Sequence, residues 1–168
     1  MKDSDSTIGK KLSDMFYEKW KDKASIEQLQ RSFSIKAPEL SILMSLFWLY
    51  YLAFSRAAHP TQGKKMSRRQ YESISDHLAT NAVERCRSLL GVRENAAYLL
   101  GLYGHIFQRL YACYNEHIDS SPSVHWYIGK EMTIILNGDD APNPALILYF
   151  GELLSDESVR IKQYLDSL

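Results

Sequence analysis

A run of uncharged residues from Leu40 to Ser55 constrains this chain more than any other feature of its sequence. Glu39 and Arg56 bound the run, which is shorter than the roughly 18 to 20 apolar residues that a transmembrane helix needs. Serine and tyrosine side chains also interrupt it, and a helix buried in the middle of a bundle tolerates them better than a membrane span does. We therefore expect a buried central helix and no membrane partner.

Helical periodicity and helix-capping residues recur along the rest of the sequence, and no short segment alternates as a half-buried strand does. The predicted helices begin after Ser6 or Thr7, after Ser25, near Pro38, after Ser67, near Arg93, at Ser121, at Asn143 and after Ser155. At 168 residues the chain is long enough for one hydrophobic core. We predict a single all-α domain over residues 1–168, a bundle of about eight helices, with residues 1–6 flexible.

Two of these helices carry distinctive signals. Ser67 and Gln70 have the spacing of a capping box, in which each side chain accepts a hydrogen bond from the backbone of the other. The segment 93–118 is apolar on more than one face, which predicts a central helix. Within it, Gly101 and Gly104 each cost about 1 kcal/mol relative to alanine. The close approach of another helix would explain why these glycines are tolerated.

The cysteines and the N-terminus bear on compartment. Cys86 and Cys113 are too few for a disulfide framework and have no Cys-x-x-Cys spacing, so we expect two buried, reduced thiols. The N-terminal residues are polar, and no apolar stretch with a cleavage site follows them. The sequence therefore favours a cytoplasmic protein.

Motifs for catalysis are absent from the sequence. None of the five histidines falls in a Glu-x-x-His or His-Glu-x-x-His pattern, so no metal is expected. There is no Gly-x-Ser-x-Gly nucleophile elbow and no glycine-rich phosphate loop. We accordingly expect a protein that is not an enzyme and that holds no cofactor.

Charge is distributed unevenly although the formal net charge is zero. Residues 56–93 carry 8 basic and 3 acidic groups, whereas residues 94–168 carry 4 basic and 10 acidic groups. The middle of the chain is thus +5 and the C-terminal part −6. Such asymmetry indicates a charged face directed at a partner, unless folding brings the two regions together and cancels the field.

The acidic part suggests a protein-binding surface. Its candidate residues are acidic groups at helix junctions or first turns, with two neighbouring aromatic residues: Asp119, Asp139, Asp140, Asp156, Glu157, Trp126 and Tyr127. Carboxylates at such positions are expected to be exposed, and they could enter a basic cleft in place of phosphates. Ordinary helix capping and solubility are the competing explanation. The first hypothesis is a protein-binding module acting by occlusion, most concretely a cytoplasmic immunity or antitoxin-type inhibitor of a bacterial toxin such as a nuclease.

Two alternatives remain open. Lys64, Lys65, Arg68 and Arg69 form a basic cluster that would suit a nucleic-acid-associated regulator using residues 64–93, unless these groups pair with acidic neighbours. A helical bundle could instead hold a small apolar ligand beneath Tyr103 and Phe107. Binding that weakens steeply with salt would favour the first alternative, and a large internal pocket the second.

Overall fold

The computed structural model describes residues 3–58, 66–138 and 143–168 and is all-helical over these ranges. Its helices are α1 (Asp5–Lys19), α2 (Lys23–Ser32), α3 (Glu39–Ala58), α4 (Arg68–Leu90), α5 (Ala96–His117), α6 (Val124–Asn137) and α7 (Pro144–Asp166). The all-α prediction is confirmed. The described ranges contain seven helices, one fewer than the sequence predicted.

Helix α3 is the buried centre of the bundle, as its uncharged sequence predicted. Fourteen of its 20 residues are buried, and the helix packs against α4, α5 and α7. By length and composition it is the one candidate membrane span in the described ranges, although most of it is enclosed by the other helices. Its aromatic side chains form the middle of the core: the Phe47 ring lies 5.9 Å from that of Phe16 in α1.

Local capping chemistry sets the helix boundaries. The Ser67–Gln70 capping box is present, and Gly91 ends α4 in the left-handed region at φ 64°, as glycine does most readily. Two predicted starts are wrong: Ser4 caps α1, so residues 5 and 6 are helical, and Asp22 caps α2 in place of Ser25. An ionised aspartate is a stronger acceptor for the first-turn amides than a serine hydroxyl. The predicted end of α3 before His59 lies outside the described residues.

Helix α7 is continuous where two helices were predicted. Ser155 does not cap a new helix, because its backbone lies inside α7, which continues through Gly151 without a break. One buried stripe runs along it at helical spacing: Phe150, Leu154, Glu157, Ile161 and Leu165. The uninterrupted stripe packs against α3 and outweighs the local preference of Ser155 for a cap.

Helix α5 lies at the edge of the bundle, which contradicts its predicted central position. Only Ala96, Leu99, Ile106 and Leu110 are buried within it. A Cβ atom added to Gly101 or Gly104 would meet nothing within 4 Å, so none of the described helices approaches those glycines. The close approach occurs instead between α6 and α7. There a Cβ at Gly129 would overlap the carbonyl oxygen of Ile147, and one at Gly151 would lie 2.8 Å from that of His125.

Candidate functional site

The structure divides the predicted acidic surface into three parts. Asp119 and Asp156 are exposed, as expected. Asp139 and Asp140 lie outside the described residues. Glu157 is buried with 4% exposure, which contradicts its assignment to a partner-binding surface.

Glu157 joins helices instead of facing solvent. Its carboxylate accepts hydrogen bonds from Arg160 at 3.0 and 3.1 Å and lies 3.8 Å from the ammonium of Lys19 in α1. Burial raises the pKa of Glu157, and the nearby charges of Arg160 and Lys19 oppose that rise. Arg160 also lies 3.6 Å from Glu18, so this network ties the end of α1 to α7. The helical spacing of the buried stripe in α7 places position 157 on the buried face. The sequence therefore already contained a pattern that argues against an exposed Glu157.

An open groove between α6 and α7 lies beside the predicted site residue Trp126. Its volume is about 350 Å³. The residues that line it, here called the α6–α7 groove, are Pro122, Ser123, His125, Trp126, Ile147, Leu148, Gly151, Glu152 and Ser155. Trp126 is thus the predicted site residue that the structure places in a recess, where it is half-buried.

The sequence builds this groove through a cap and a glycine. The Ser123 hydroxyl accepts a hydrogen bond from the Trp126 amide and so fixes the first turn of α6 beside α7. Gly151 forms part of the floor, because any larger residue would collide with the backbone of His125. The side chain of Trp126 therefore lies beside the α6–α7 groove and is not packed into the hydrophobic core.

Two acidic side chains lie between two exposed apolar side chains along α7, and the first two residues of this series, Leu148 and Glu152, line the groove. Leu148 is 53% exposed, Glu152 follows one turn later and Asp156 another turn on, with Val159 also 53% exposed beyond them. Spacings of three and four residues place these side chains along one side of the helix. Exposed apolar residues at helical spacing in the sequence of α7 could have revealed this surface.

The carboxylates around the groove lack internal counterions. Across the described ranges, no lysine or arginine nitrogen lies within 4.0 Å of the carboxylate oxygens of Asp119, Glu152 or Asp156. Glu152 is also the one carboxylate among the lining residues. Their negative field is therefore directed into solvent, where it attracts a positively charged partner.

Tyr127 has a structural part in the α5–α6 turn. Its ring stacks on that of His117 with centroids 3.7 Å apart, and its hydroxyl donates to the carbonyl oxygen of Ser121 at 3.0 Å. The His117 ring in turn lies 3.1 Å from the Ser120 hydroxyl. These contacts hold the turn that carries Asp119, so Tyr127 orders the edge of the acidic surface.

Three arginines of the basic stretch are paired with carboxylates of this chain. Arg68 pairs with Glu72 at 2.8 Å, Arg87 pairs with Glu84 at 2.9 Å, and Arg85 pairs with Asp14. The Arg56 guanidinium lies over the ring of Tyr114 at 4.6 Å. Arg69 is exposed, and Lys64 and Lys65 lie outside the described residues.

Side chains fill the space beneath Tyr103 and Phe107. The Phe107 ring lies 5.5 Å from that of Trp48 and 5.1 Å from that of Tyr51, so α3 and α5 interlock there. The Tyr103 hydroxyl lies 3.5 Å from that of Ser41. This packing disfavours a small-ligand cavity at that position.

The two thiols are poorly suited to nucleophilic chemistry. Burial raises the pKa of Cys86 to about 12 and that of Cys113 to about 11. A thiolate, which is the reactive form, is therefore disfavoured at both positions near neutral pH. Within the ranges that the structure describes, no three His, Cys, Asp or Glu side chains converge as metal ligands do.

Two properties distinguish the α6–α7 groove from the other predicted sites. It is concave and mostly apolar with Trp126 in its lining, and its one lining carboxylate, Glu152, has no lysine or arginine nitrogen within 4.0 Å among the described residues. In the basic stretch, three arginines are already paired with carboxylates, while Arg69 is exposed. No protein family model, curated protein or solved structure matches the chain, so the interpretation of the groove depends on its geometry alone.

Proposed function

We propose that this chain is a protein-binding module whose α6–α7 groove takes a basic segment of a partner protein that carries an apolar side chain. One observation carries the proposal: the exposed carboxylate of Glu152, which has no lysine or arginine partner among the described residues, lines an apolar recess beside Trp126 and Leu148. Asp156 lies one turn further along α7 and is also exposed. Tryptophan is enriched among the residues that dominate binding energy at protein interfaces. The carboxylates would supply orientation and a faster association with a basic partner.

The dimensions of the groove agree with a side chain as its occupant. Its volume of about 350 Å³ is at the lower end of the roughly 300–1,000 Å³ found for small-molecule sites. Its lining is mostly apolar, and Glu152 provides the ionised group. A partner segment with an arginine or lysine next to an apolar residue would match both the Glu152 carboxylate and the apolar lining of the groove.

Electrostatics favour a protein partner over nucleic acid. Phosphates would be repelled by the Glu152 carboxylate of the groove, and three of the arginines in the basic stretch are already paired with Glu72, Asp14 and Glu84. The narrower form of the proposal is inhibition by occlusion. In that form the partner is a basic toxin such as a nuclease, and this chain covers its cleft in the manner of an immunity or antitoxin-type protein.

The test is a comparative capture from lysate of the native host. Three tagged proteins are compared: wild type, Glu152→Lys in the groove and the matched control Asp76→Lys on the exposed face of α4. We expect wild type and control to retain the same protein, and Glu152→Lys to retain it with about 10-fold lower affinity or worse. Equal retention by all three proteins, or release of nucleic acid at modest salt, would refute the proposal.

The narrower form needs a second measurement on the retained protein. If it has an enzymatic activity, one equivalent of wild type is expected to abolish that activity and one equivalent of Glu152→Lys is not. A captured protein whose activity is unchanged at saturation contradicts occlusion while leaving the binding function in place.

A further inference from the structure

The exposed side of α5 is apolar to an extent unusual for a surface helix. Tyr98, Leu102 and Tyr111 are 56%, 50% and 39% exposed, which makes them three of the seven large hydrophobic residues with high exposure in the described ranges. Residues 95–108 contain no Asp, Glu, Lys or Arg. An apolar helix face left open to water commonly marks an interaction site.

The glycines of α5 indicate that a backbone approaches this face. The other helical glycines that the structure describes, Gly9, Gly129 and Gly151, are each required by a neighbouring helix that leaves no room for a Cβ atom. A Cβ atom at Gly101 or Gly104 would meet nothing within 4 Å among the residues that the structure describes. The missing side chains would permit close helix packing at these positions if the approaching helix belongs to another molecule.

The α5 sequence has an approximate two-fold symmetry about the peptide bond between residues 104 and 105. Ala97 and Ala112 are equidistant from this point, and so are Tyr98 and Tyr111. All four residues are exposed. In an antiparallel pair of α5 helices related by a two-fold axis, each alanine would lie at the level of the other alanine of its partner. Self-complementarity of this kind is what a symmetric dimer interface requires.

The charges near the ends of α5 are also complementary under this arrangement. Arg93 precedes α5 and Glu116 lies in its last turn, both exposed and equidistant from the same central point. Antiparallel pairing therefore brings the arginine of each copy to the level of the glutamate of the other. The uncharged segment 95–108 lies between them, so its own copy can approach without like-charge repulsion.

We infer that the exposed face of α5 binds the same face of a second copy of this chain, forming an antiparallel two-fold dimer about Gly104 and His105. The dimer leaves the α6–α7 groove of each copy available, because that groove is formed by other helices. The inference is independent of the proposed function and concerns a different surface.

The first test is sedimentation of the full chain over a concentration series. Wild type is expected to change from 19.4 kDa towards twice that mass as its concentration rises. Gly101→Glu is expected to raise the dimer dissociation constant at least about 100-fold, because it fills the contact and places a charge in it. The matched control Thr80→Glu adds the same charge to the exposed face of α4 and is expected to dimerise like wild type.

Gly101→Glu keeps the test free of folding defects, since glutamate favours a helix more than glycine does and nothing surrounds that position. A wild type that stays monomeric at about 100 µM, or a dimer that Gly101→Glu leaves intact, overturns the inference.

A second test examines the two-fold axis itself. His105→Cys in a Cys113→Ser background places one new exposed thiol beside the axis, where the two copies of residue 105 meet. Oxidation is expected to give a covalent dimer, and Thr80→Cys in the same background is expected to give none. Equal cross-linking of both variants would indicate random collision and would contradict the antiparallel arrangement.

Discussion

The tight crossing of α6 and α7 at Gly129 and Gly151 leads to a graded prediction for glycine-to-alanine substitutions. A Cβ at Gly129 would overlap the Ile147 carbonyl oxygen, and one at Gly151 would lie 2.8 Å from the His125 carbonyl oxygen. Both obstacles are backbone atoms, which cannot rotate aside as a side chain can. Gly101 offers the opposite case, because a Cβ there meets nothing within 4 Å.

Two opposing terms set the magnitudes. Alanine gains about 1 kcal/mol over glycine in a helix interior. Gly129→Ala must also push α6 and α7 apart by about 1 Å in a close-packed interior, and overpacking of this kind typically costs about 1–3 kcal/mol and sometimes more. We expect Gly129→Ala to lower the free energy of unfolding by about 2 kcal/mol or more and Gly151→Ala by less. Gly101→Ala is expected to raise it by about 0.5–1 kcal/mol.

Urea unfolding followed by helical circular dichroism measures these differences. At this chain length, about 1 kcal/mol corresponds to a shift of about 2–4 °C in the melting temperature, so thermal scans give an independent check. Each variant is measured at two protein concentrations, because self-association through α5 would make the stability concentration-dependent. If Gly129→Ala proved as stable as wild type, or less damaging than Gly151→Ala, the described crossing of α6 and α7 would be wrong.

Two further predictions concern ionisable groups. Burial raises the pKa of Glu157 above its ordinary value of 4.5, so the protonated form favours folding, and this contribution diminishes as the pH rises from about 4.5 through the raised pKa. Urea unfolding across this range is expected to show Glu157→Gln gaining stability relative to wild type as the pH rises, and a constant difference would contradict the assignment. Cys86, with its pKa raised to about 12, is expected to resist alkylation at pH 8 until the protein is unfolded, with Cys113 modified slowly in the native state. Rapid native labelling of Cys86, measured by mass spectrometry, would show that this thiol is accessible.

The sequence predicted those features that depend on local chemistry or on strong hydrophobic patterning. The Ser67 capping box, the left-handed glycine at position 91 and the buried run of α3 all follow from interactions within a few residues or from a long apolar segment. Helix α7 was divided wrongly because Ser155 resembles a cap. Whether such a serine begins a helix depends on the preceding turn, and the stripe through Leu154 and Ile161 shows that α7 continues.

The candidate site was less predictable because it depends on tertiary contacts. Trp126 was identified, but Leu148 and Glu152 were not, since their role depends on α6 crossing α7 at a particular glycine. The glycines of α5 were predicted to permit the close approach of another helix, and the described residues show no such approach. The interpretation was wrong in assigning that approach to a helix of the same chain, a distinction that one sequence does not encode.

Helix α1 reaches its contacts across most of the chain. It packs chiefly on α4, and the Arg160 guanidinium of α7 lies 3.5 Å from the carbonyl oxygen of Met15, 145 residues away in sequence. Contacts between distant residues form late in folding, because the intervening chain must first be ordered. During synthesis, at about 5–20 residues per second, the apolar side of α1 stays unprotected until α4 has been made. Its last contacts form only when α7 has left the ribosome, so newly made chains depend on prompt completion to avoid aggregation.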